Sequence, residues 1–370
     1  MKVMFTGGGT GGHIFPIIAV AREMKKISPA GELELSYIGP SDEFASKNFF
    51  KEGIKTYFIL AGKIRRYFGL ALFQNIIDLF ILTPLGIIQS FLILFFAAPD
   101  VIFSKGGYGS VPAVIAGTLL GIPVYLHESD VSPGLANKIL GGLSQKIIVS
   151  FPINQIEGFS KLKLEFLGNP VRQELLDVDQ SKIKETLGLA SQKPVILILG
   201  GSQGSARINE FILETLPQML KYFEIIHQTG KSDFENIKSG VKAFVPADLQ
   251  PNYHPFSFLE EQQLKSAMSA ASCIIARAGA GTIAEIAAFA RPSILIPLPE
   301  AAQNHQSKNA YAYAASGAAI VIEESNLMPN FFLEKVLDLF NGKKLLAMST
   351  VAASFGKVNA ARDIALFILK

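Results

Sequence analysis

Five of the six residues from Gly7 to Gly12 are glycine, and His13 follows directly. Such a run leaves backbone N–H groups open to a ligand with no side chain in the way. A helix starting there would add its positive end, so the segment suits phosphate or a developing negative charge. An imidazole beside it can take a proton near neutral pH. Three further stretches share the form: Gly106-Gly107-Tyr108-Gly109-Ser110, Gly200-Gly201-Ser202-Gln203-Gly204-Ser205 and Ala278-Gly279-Ala280-Gly281-Thr282. Any one of them reads equally well as a tight turn; four of them point to phosphate handling.

The elements that must position these loops repeat along the chain. Short apolar runs stand at Val3–Thr6, Glu32–Gly39, Val101–Ser104, Val124–His127 and Ile147–Ser150, with helical stretches such as Ile17–Ile27 and Ala113–Leu120 between them. Pro16 stands where the first helix would begin. The pattern starts again at Val195–Gly200 and continues through a helix from about Ala206 and runs at Glu224–Gln228, Cys273–Ala276 and Ser293–Pro297. Alternation at this spacing predicts parallel sheets covered on both faces, and two such series predict an α/β chain of two Rossmann-like domains. Pro152, Gly158, Gly168 and Pro170 interrupt the pattern and mark the join. Ligands of such domains bind at the carboxyl ends of the strands, so the four loops are expected to converge on a cleft.

Composition agrees. The 370 residues exceed a typical single domain, and 49% hydrophobic against 18% charged residues allow a large core. A net charge of +3 is too weak to argue for nucleic acid but is compatible with an anionic membrane surface. The single cysteine, Cys273, leaves no internal disulfide and fits a reducing compartment. The first residues read as strand and glycine loop rather than as a signal peptide.

Several chemistries fit poorly. Gly7, Gly9 and Gly12 satisfy G-x-G-x-x-G, but the second strand ends Tyr37-Ile38-Gly39 without the acidic residue a dinucleotide site wants. Gly230-Lys231-Ser232 resembles a P-loop tail, yet Ile225 occupies the position of its first glycine. The five histidines are scattered, so no metal is expected.

Taken in order, the motifs resemble the MurG family of N-acetylglucosaminyltransferases. They are Gly8 to His13, Gly106-Gly107-Tyr108, His127-Glu128, Pro133 to Lys138, Gly168-Asn169-Pro170-Val171-Arg172, Gly200 to Ser205, Arg277-Ala278-Gly279-Ala280 with Glu285, and His305-Gln306 with Asn309-Ala310. They span roughly residues 1–320. The resemblance implies the GT-B architecture, two Rossmann-like domains with parallel sheets facing a deep cleft. An acceptor- and membrane-side domain would cover 1–168, a UDP-GlcNAc-binding domain 169–349, and a C-terminal helix of about 350–370 would pack back on the first. It implies transfer of GlcNAc from UDP-GlcNAc to the C4 hydroxyl of MurNAc in lipid I (undecaprenyl-diphosphate-MurNAc-pentapeptide). The product is lipid II, the anomeric configuration inverts, and no cofactor takes part.

The family's site residues carry over onto matching positions. For the donor these are Thr10, Gly11, Gly12, His13, Arg172, Ser202, Gln203, Gly204, Leu259, Ala280, Gly281, Thr282, Glu285, His305 and Gln306. Glu285 would accept from the ribose hydroxyls, Phe258-Leu259 would read uracil through their backbone, and His305 and Gln306 would hold GlcNAc. Arg172 is either a nucleotide contact or a domain-linker salt bridge. The acceptor side would use Gly8, Gly9, Gly107, Tyr108, Glu128 and Asn137. Inversion needs a base; His13 is the candidate, unless it only orients the loop or binds acceptor pyrophosphate. Many members have Gln-Asn after His-Glu, where this chain has Ser129-Asp130, so Asp130 is a second candidate.

Residues 63–99 stand apart. They open Lys63-Ile64-Arg65-Arg66, and no charge occurs from Leu79 to Pro99. The run is long enough to span a bilayer, but Thr83-Pro84, Gly86 and Gln89-Ser90 interrupt it. Two helices are expected, one buried against the sheet and one in the membrane interface, the alternative being a wholly buried core helix. The resemblance favours attachment of about residues 63–96 to the inner face of the plasma membrane, as a peripheral protein on the cytoplasmic side. Two rival functions remain at this point: a GT-B transferase using another lipid or small-molecule acceptor, and a sensor that binds UDP-GlcNAc without turnover.

Overall fold

The computed structural model describes residues 1–8, 11–29, 31–63, 70–201 and 204–370, with the backbone alone over 70–73. The chain divides into two compact units, Met1–Arg172 with Val358–Lys370, and Gln173–Lys357. In the first lie β1 (Lys2–Thr6), β2 (Glu34–Gly39), β3 (Lys55–Phe58), β4 (Val101–Ser104), β5 (Val124–Glu128), β6 (Lys146–Val149) and β7 (Leu164–Phe166). They form one parallel sheet in the order β3-β2-β1-β4-β5-β6-β7, with Val3 opposite Leu35 on one side and Val101 on the other. The second unit holds β8 (Val195–Leu199), β9 (Glu224–Gln228), β10 (Tyr253–Phe256), β11 (Cys273–Ala276), β12 (Ser293–Leu295) and β13 (Ala319–Val321). These are also parallel, in the order β10-β9-β8-β11-β12-β13.

Apart from Lys2 at the start of β1, the central strands are buried throughout because helices cover both faces, which is why they read as apolar runs. In both sheets the strand order reverses beside the first strand of the unit, between β1 and β4 and between β8 and β11. The glycine-rich stretches follow these four strands, so each unit carries two of them side by side at its switch point.

The helix after β1 runs Gly11–Ile27 and contains Pro16, so it starts earlier than the proline suggested. The helix Ala360–Ile368 buries Ala361, Ile364, Ala365 and Ile368 and packs on Gly11–Ile27. Each fully buried large aliphatic side chain there contributes roughly 1.5–3 kcal/mol. The returning segment runs Val358–Lys370, and the helix Lys344–Phe355 packs on Ala280–Ala288 within the second unit. Gly168–Arg172 belong to the first unit, four residues beyond the expected join. His127 Nε2 donates to Gly168 O (3.0 Å), and the Arg172 guanidinium stacks on Phe15, 4.4 Å from the ring centre.

The apolar segment also departs from expectation. Leu70–Ile77, a π turn at Asp78–Leu82 and Thr83–Ala97 form one continuous helical run rather than two helices. Pro84 has no N–H for the Phe80 carbonyl, and the wider π turn absorbs the misfit while Thr83 Oγ1 donates to Asp78 O (2.8 Å). One narrow face is buried, formed by Gly86, Ser90 and Leu94, and the run packs on the helix Val111–Leu119. A Cβ at Gly86 would lie 1.9 Å from Leu60 O, so only glycine allows this approach. Opposite it, Phe95 is 62% and Phe96 80% exposed, which excludes a wholly buried core helix.

Candidate active site

In the first unit the chemistry gathers at the carboxyl ends of β1, β4 and β5. His13 lies in the third position of its helix, partly exposed. A Cβ on Gly8 would stand 3.1 Å from its Nδ1, and one on Gly107 3.3 Å from its Nε2. The imidazole is therefore held between two glycine backbones. Burial, and then the charge of Lys105, pulls its pKa down to about 4, so the ring is neutral at physiological pH.

Gly106 and Gly107 both have φ of +80°, a conformation favouring glycine, and a Cβ on Gly106 would meet Asn137 at 2.2 Å. Asn137 Oδ1 accepts from Gly107 N–H (2.9 Å), and its Nδ2 donates to Glu128 Oε2 (2.7 Å). The other Glu128 oxygen accepts from Asp130 N–H (2.9 Å). Burial first, and the Asp130 charge second, push the Glu128 carboxyl up to about 7. Tyr108 opens a short 3-10 turn, with Lys63 Nζ 5.8 Å from its ring centre.

Lys105, absent from the sequence reading, sits among these groups and is only 3% exposed. Its Nζ donates to Ser129 Oγ, and Ser129 donates on to Asn169 Oδ1 (3.4 Å). Burial pulls the ammonium down to about 8 against the opposing attraction of Glu128 and Asp130. The available signal was a lone lysine between a buried strand and a glycine pair.

The second unit gathers Gly204, Leu259, Ala280, Gly281, Thr282, Glu285, His305 and Gln306 on loops and helix starts following its strands. Gly204 has φ +81°, and a Cβ there would lie 2.2 Å from Thr229 O. Ser205 precedes the helix Ala206–Met219, and its Oγ accepts from Arg277 Nη2 (2.7 Å). Arg277 also pairs with Glu324 at 2.5 Å and donates to Ile296 O and Pro297 O, so it ties the two glycine loops together. Leu259 is buried, and its N–H donates to Gln228 Oε1 (2.9 Å). Glu285 lies partly exposed in the helix Ala280–Ala288, one turn beyond Gly281 and Thr282. Gln306 accepts from Leu298 N–H (3.0 Å), and His305 Nδ1 donates to Ala302 O (2.6 Å). Just before them Gln303 and Asn304 have φ of 57° and 54°, backbone strain of the kind stored at ligand sites. Gly9, Thr10, Ser202 and Gln203 lie outside the described residues. Arg172, Gly11, Gly12 and His13 belong to the first unit, unlike the remaining described donor-side positions.

Two parallel α/β units, each with paired glycine loops at its switch point, define a two-domain α/β fold of the GT-B type. Residues 3–149 match the glycosyltransferase family 28 N-terminal domain and residues 195–365 the family's C-terminal domain, and the chain belongs to that family. Within it the chain falls in the MurG group. A Clostridium tetani protein named UDP-N-acetylglucosamine–N-acetylmuramyl-(pentapeptide) pyrophosphoryl-undecaprenol N-acetylglucosamine transferase is 36% identical over 355 residues, 96% of this chain and 94% of its own. A Bacillus anthracis protein of that name, numbered 2, is 36% identical over 339 residues, 91% of each chain. The crystal structure of Acinetobacter baumannii MurG superposes with a TM-score of 0.76 at 26% identity, covering 100% of this chain and 99% of that one. A Neisseria meningitidis UDP-GlcNAc 2-epimerase, 18% identical with a TM-score of 0.69 and full coverage of both chains, shares the fold alone.

Proposed function

We propose that the protein transfers GlcNAc from UDP-GlcNAc to the C4 hydroxyl of MurNAc in lipid I, giving lipid II with inversion, for peptidoglycan synthesis. The observation that carries this is the neutral His13 ring held between Gly8 and Gly107, in a chain whose relatives bear that activity in their names. In one displacement a base takes the C4 proton, the oxygen attacks the anomeric carbon, and UDP leaves with the bonding pair. We assign the first task to His13, with Asp130 as the rival. The Gly200–Ser205 loop and the helix behind it would stabilise charge on the departing diphosphate. UDP release from UDP-GlcNAc, measured with and without a lipid I analogue, tests the reading. Release that depends on the analogue is expected. Binding without release would indicate a sensor, and release only with another acceptor would indicate a different transferase.

Glu285→Ala is expected to weaken UDP affinity roughly 10–100-fold, the scale of one charged hydrogen bond. Calorimetry on the folded variant checks this, and unchanged affinity would remove Glu285 from the ribose site.

The acceptor's lipid calls for a membrane surface, and we place the protein peripherally on the cytoplasmic face of the bacterial plasma membrane. Residues 63–96 would provide the contact. The described part, Gln74–Ala97, is long and apolar enough to cross a bilayer. Yet its Gly86–Ser90–Leu94 face is docked on the first unit, which favours lying in the interface over spanning. Replacing Phe91, Phe95 and Phe96 together by Ser should reduce flotation with anionic liposomes at least ~10-fold with little change in melting temperature, because these side chains are exposed. Loss of fold without a specific loss of flotation would count against the interface.

A further inference from the structure

Gln228 closes β9 and is 6% exposed, yet both ends of its amide are spent on backbone far away in sequence. Its Nε2 donates to Gly201 O (2.9 Å), and its Oε1 accepts from Leu259 N–H (2.9 Å). Gly201 belongs to the glycine loop after β8, with φ +92°. Leu259 follows the end of β10. The next residue reinforces the link. Thr229 N–H donates to Phe256 O (2.9 Å), and Thr229 O lies where a Cβ on Gly204 would be 2.2 Å away. Asn209 Nδ2, from the helix behind the loop, also donates to Thr229 O (2.8 Å). The end of β9 thus grips the 200–205 loop at Gly201 and Gly204 and holds the 256–259 segment with the same two residues.

We infer that Gln228 is a positioning residue that couples the phosphate half of the donor site to its base half. This rests on the donor reading above, in which the first loop meets the diphosphate and the Leu259 segment meets uracil. A buried primary amide suits the task because it offers a donor and an acceptor on one rigid plane. Alanine would leave both Gly201 O and Leu259 N–H without that partner. Glutamate could still accept from Leu259 but would set a carboxylate against the Gly201 carbonyl and near the diphosphate.

Calorimetry with UDP and with uridine on the full-length protein, alongside donor kinetics, tests the coupling. For Gln228→Ala the expected loss is at least ~10-fold for UDP but under ~3-fold for uridine, because the phosphate loop loses its tether at Gly201 while Thr229 N–H still holds Phe256 O and with it the base segment. Donor KM should rise with the UDP loss while kcat falls less than ~3-fold and acceptor KM is unchanged. Gln228→Glu, close to isosteric, should weaken UDP more than Ala does and provides the test if the alanine variant fails to fold. An amide that merely satisfies two backbone groups would change the melting temperature and leave the UDP-to-uridine ratio at the parent value, and that result overturns the inference. Failure of the parent to bind UDP would instead overturn the donor reading on which it rests.

Discussion

His13→Ala is expected to lower kcat by about 10²–10⁴-fold while UDP-GlcNAc affinity changes little. The ring sits between Gly8 and Gly107 at the carboxyl ends of β1 and β4, and most of the donor positions lie in the other unit. Burial and Lys105 hold its pKa at about 4 in the free protein, so a base at this position is already unprotonated at neutral pH. The acid limb of kcat/KM should then fall near that value, since this ratio reports the free enzyme. Asp130→Ala is the companion experiment. If it abolishes turnover while His13→Ala stays within a few-fold of the parent, Asp130 is the proton acceptor and His13 orients the loop or binds acceptor phosphate. If both variants are crippled, the two act as a dyad in which one orients the other.

Lys105→Met should destabilise the first unit by about 3 kcal/mol at about pH 7. The side chain is buried beside two carboxylates, and its loss leaves Glu128 and Asp130 to repel each other with less compensation. The pH dependence follows from Glu128, whose folded pKa of about 7 already lies above the ordinary carboxylate value. A raised carboxylate disfavours the folded state once ionised, so its stabilising contribution is present at low pH and is lost as pH rises through the folded pKa. Without Lys105 that pKa rises further, and the deficit against the parent widens with pH. Melting curves of parent and variant at about pH 5 and about pH 8 measure this. A deficit equal at both would mean that Lys105 acts through packing rather than through its charge.

The legibility of the fold followed burial. The expected runs at Val3–Thr6, Val101–Ser104, Val195–Gly200 and Cys273–Ala276 correspond to central strands covered on both faces. The strands with no expected run were β3, β7, β10 and β13, and these are the four sheet edges. An edge strand has one neighbour and half-exposed positions, so Lys55–Phe58 and Tyr253–Phe256 carry polar and proline residues and show no apolar run. Pro84 misled for a related reason. A proline reads as a break, yet the π turn at Asp78–Leu82 carries the helix past it.

The sequence by itself determined what depends on local composition: the glycine loops, the strand–helix alternation, the apolar run before Ala98, and the ordered motifs by which His13, Glu285 and Asn137 could be singled out. Which loops become neighbours was decided only by the tertiary structure, because strand order in a parallel sheet is set by crossover connections rather than by adjacency in the chain. That ordering brings Gly107 against His13, Asn137 between Gly107 and Glu128, and Lys105 beside Ser129. Lys105, Gln228 and Arg277 owe their roles to it. Lys105 and Gln228 are ordinary polar residues in sequence and Arg277 only opens a motif; burial beside distant backbone or charge obliges all three to hold the loops in place.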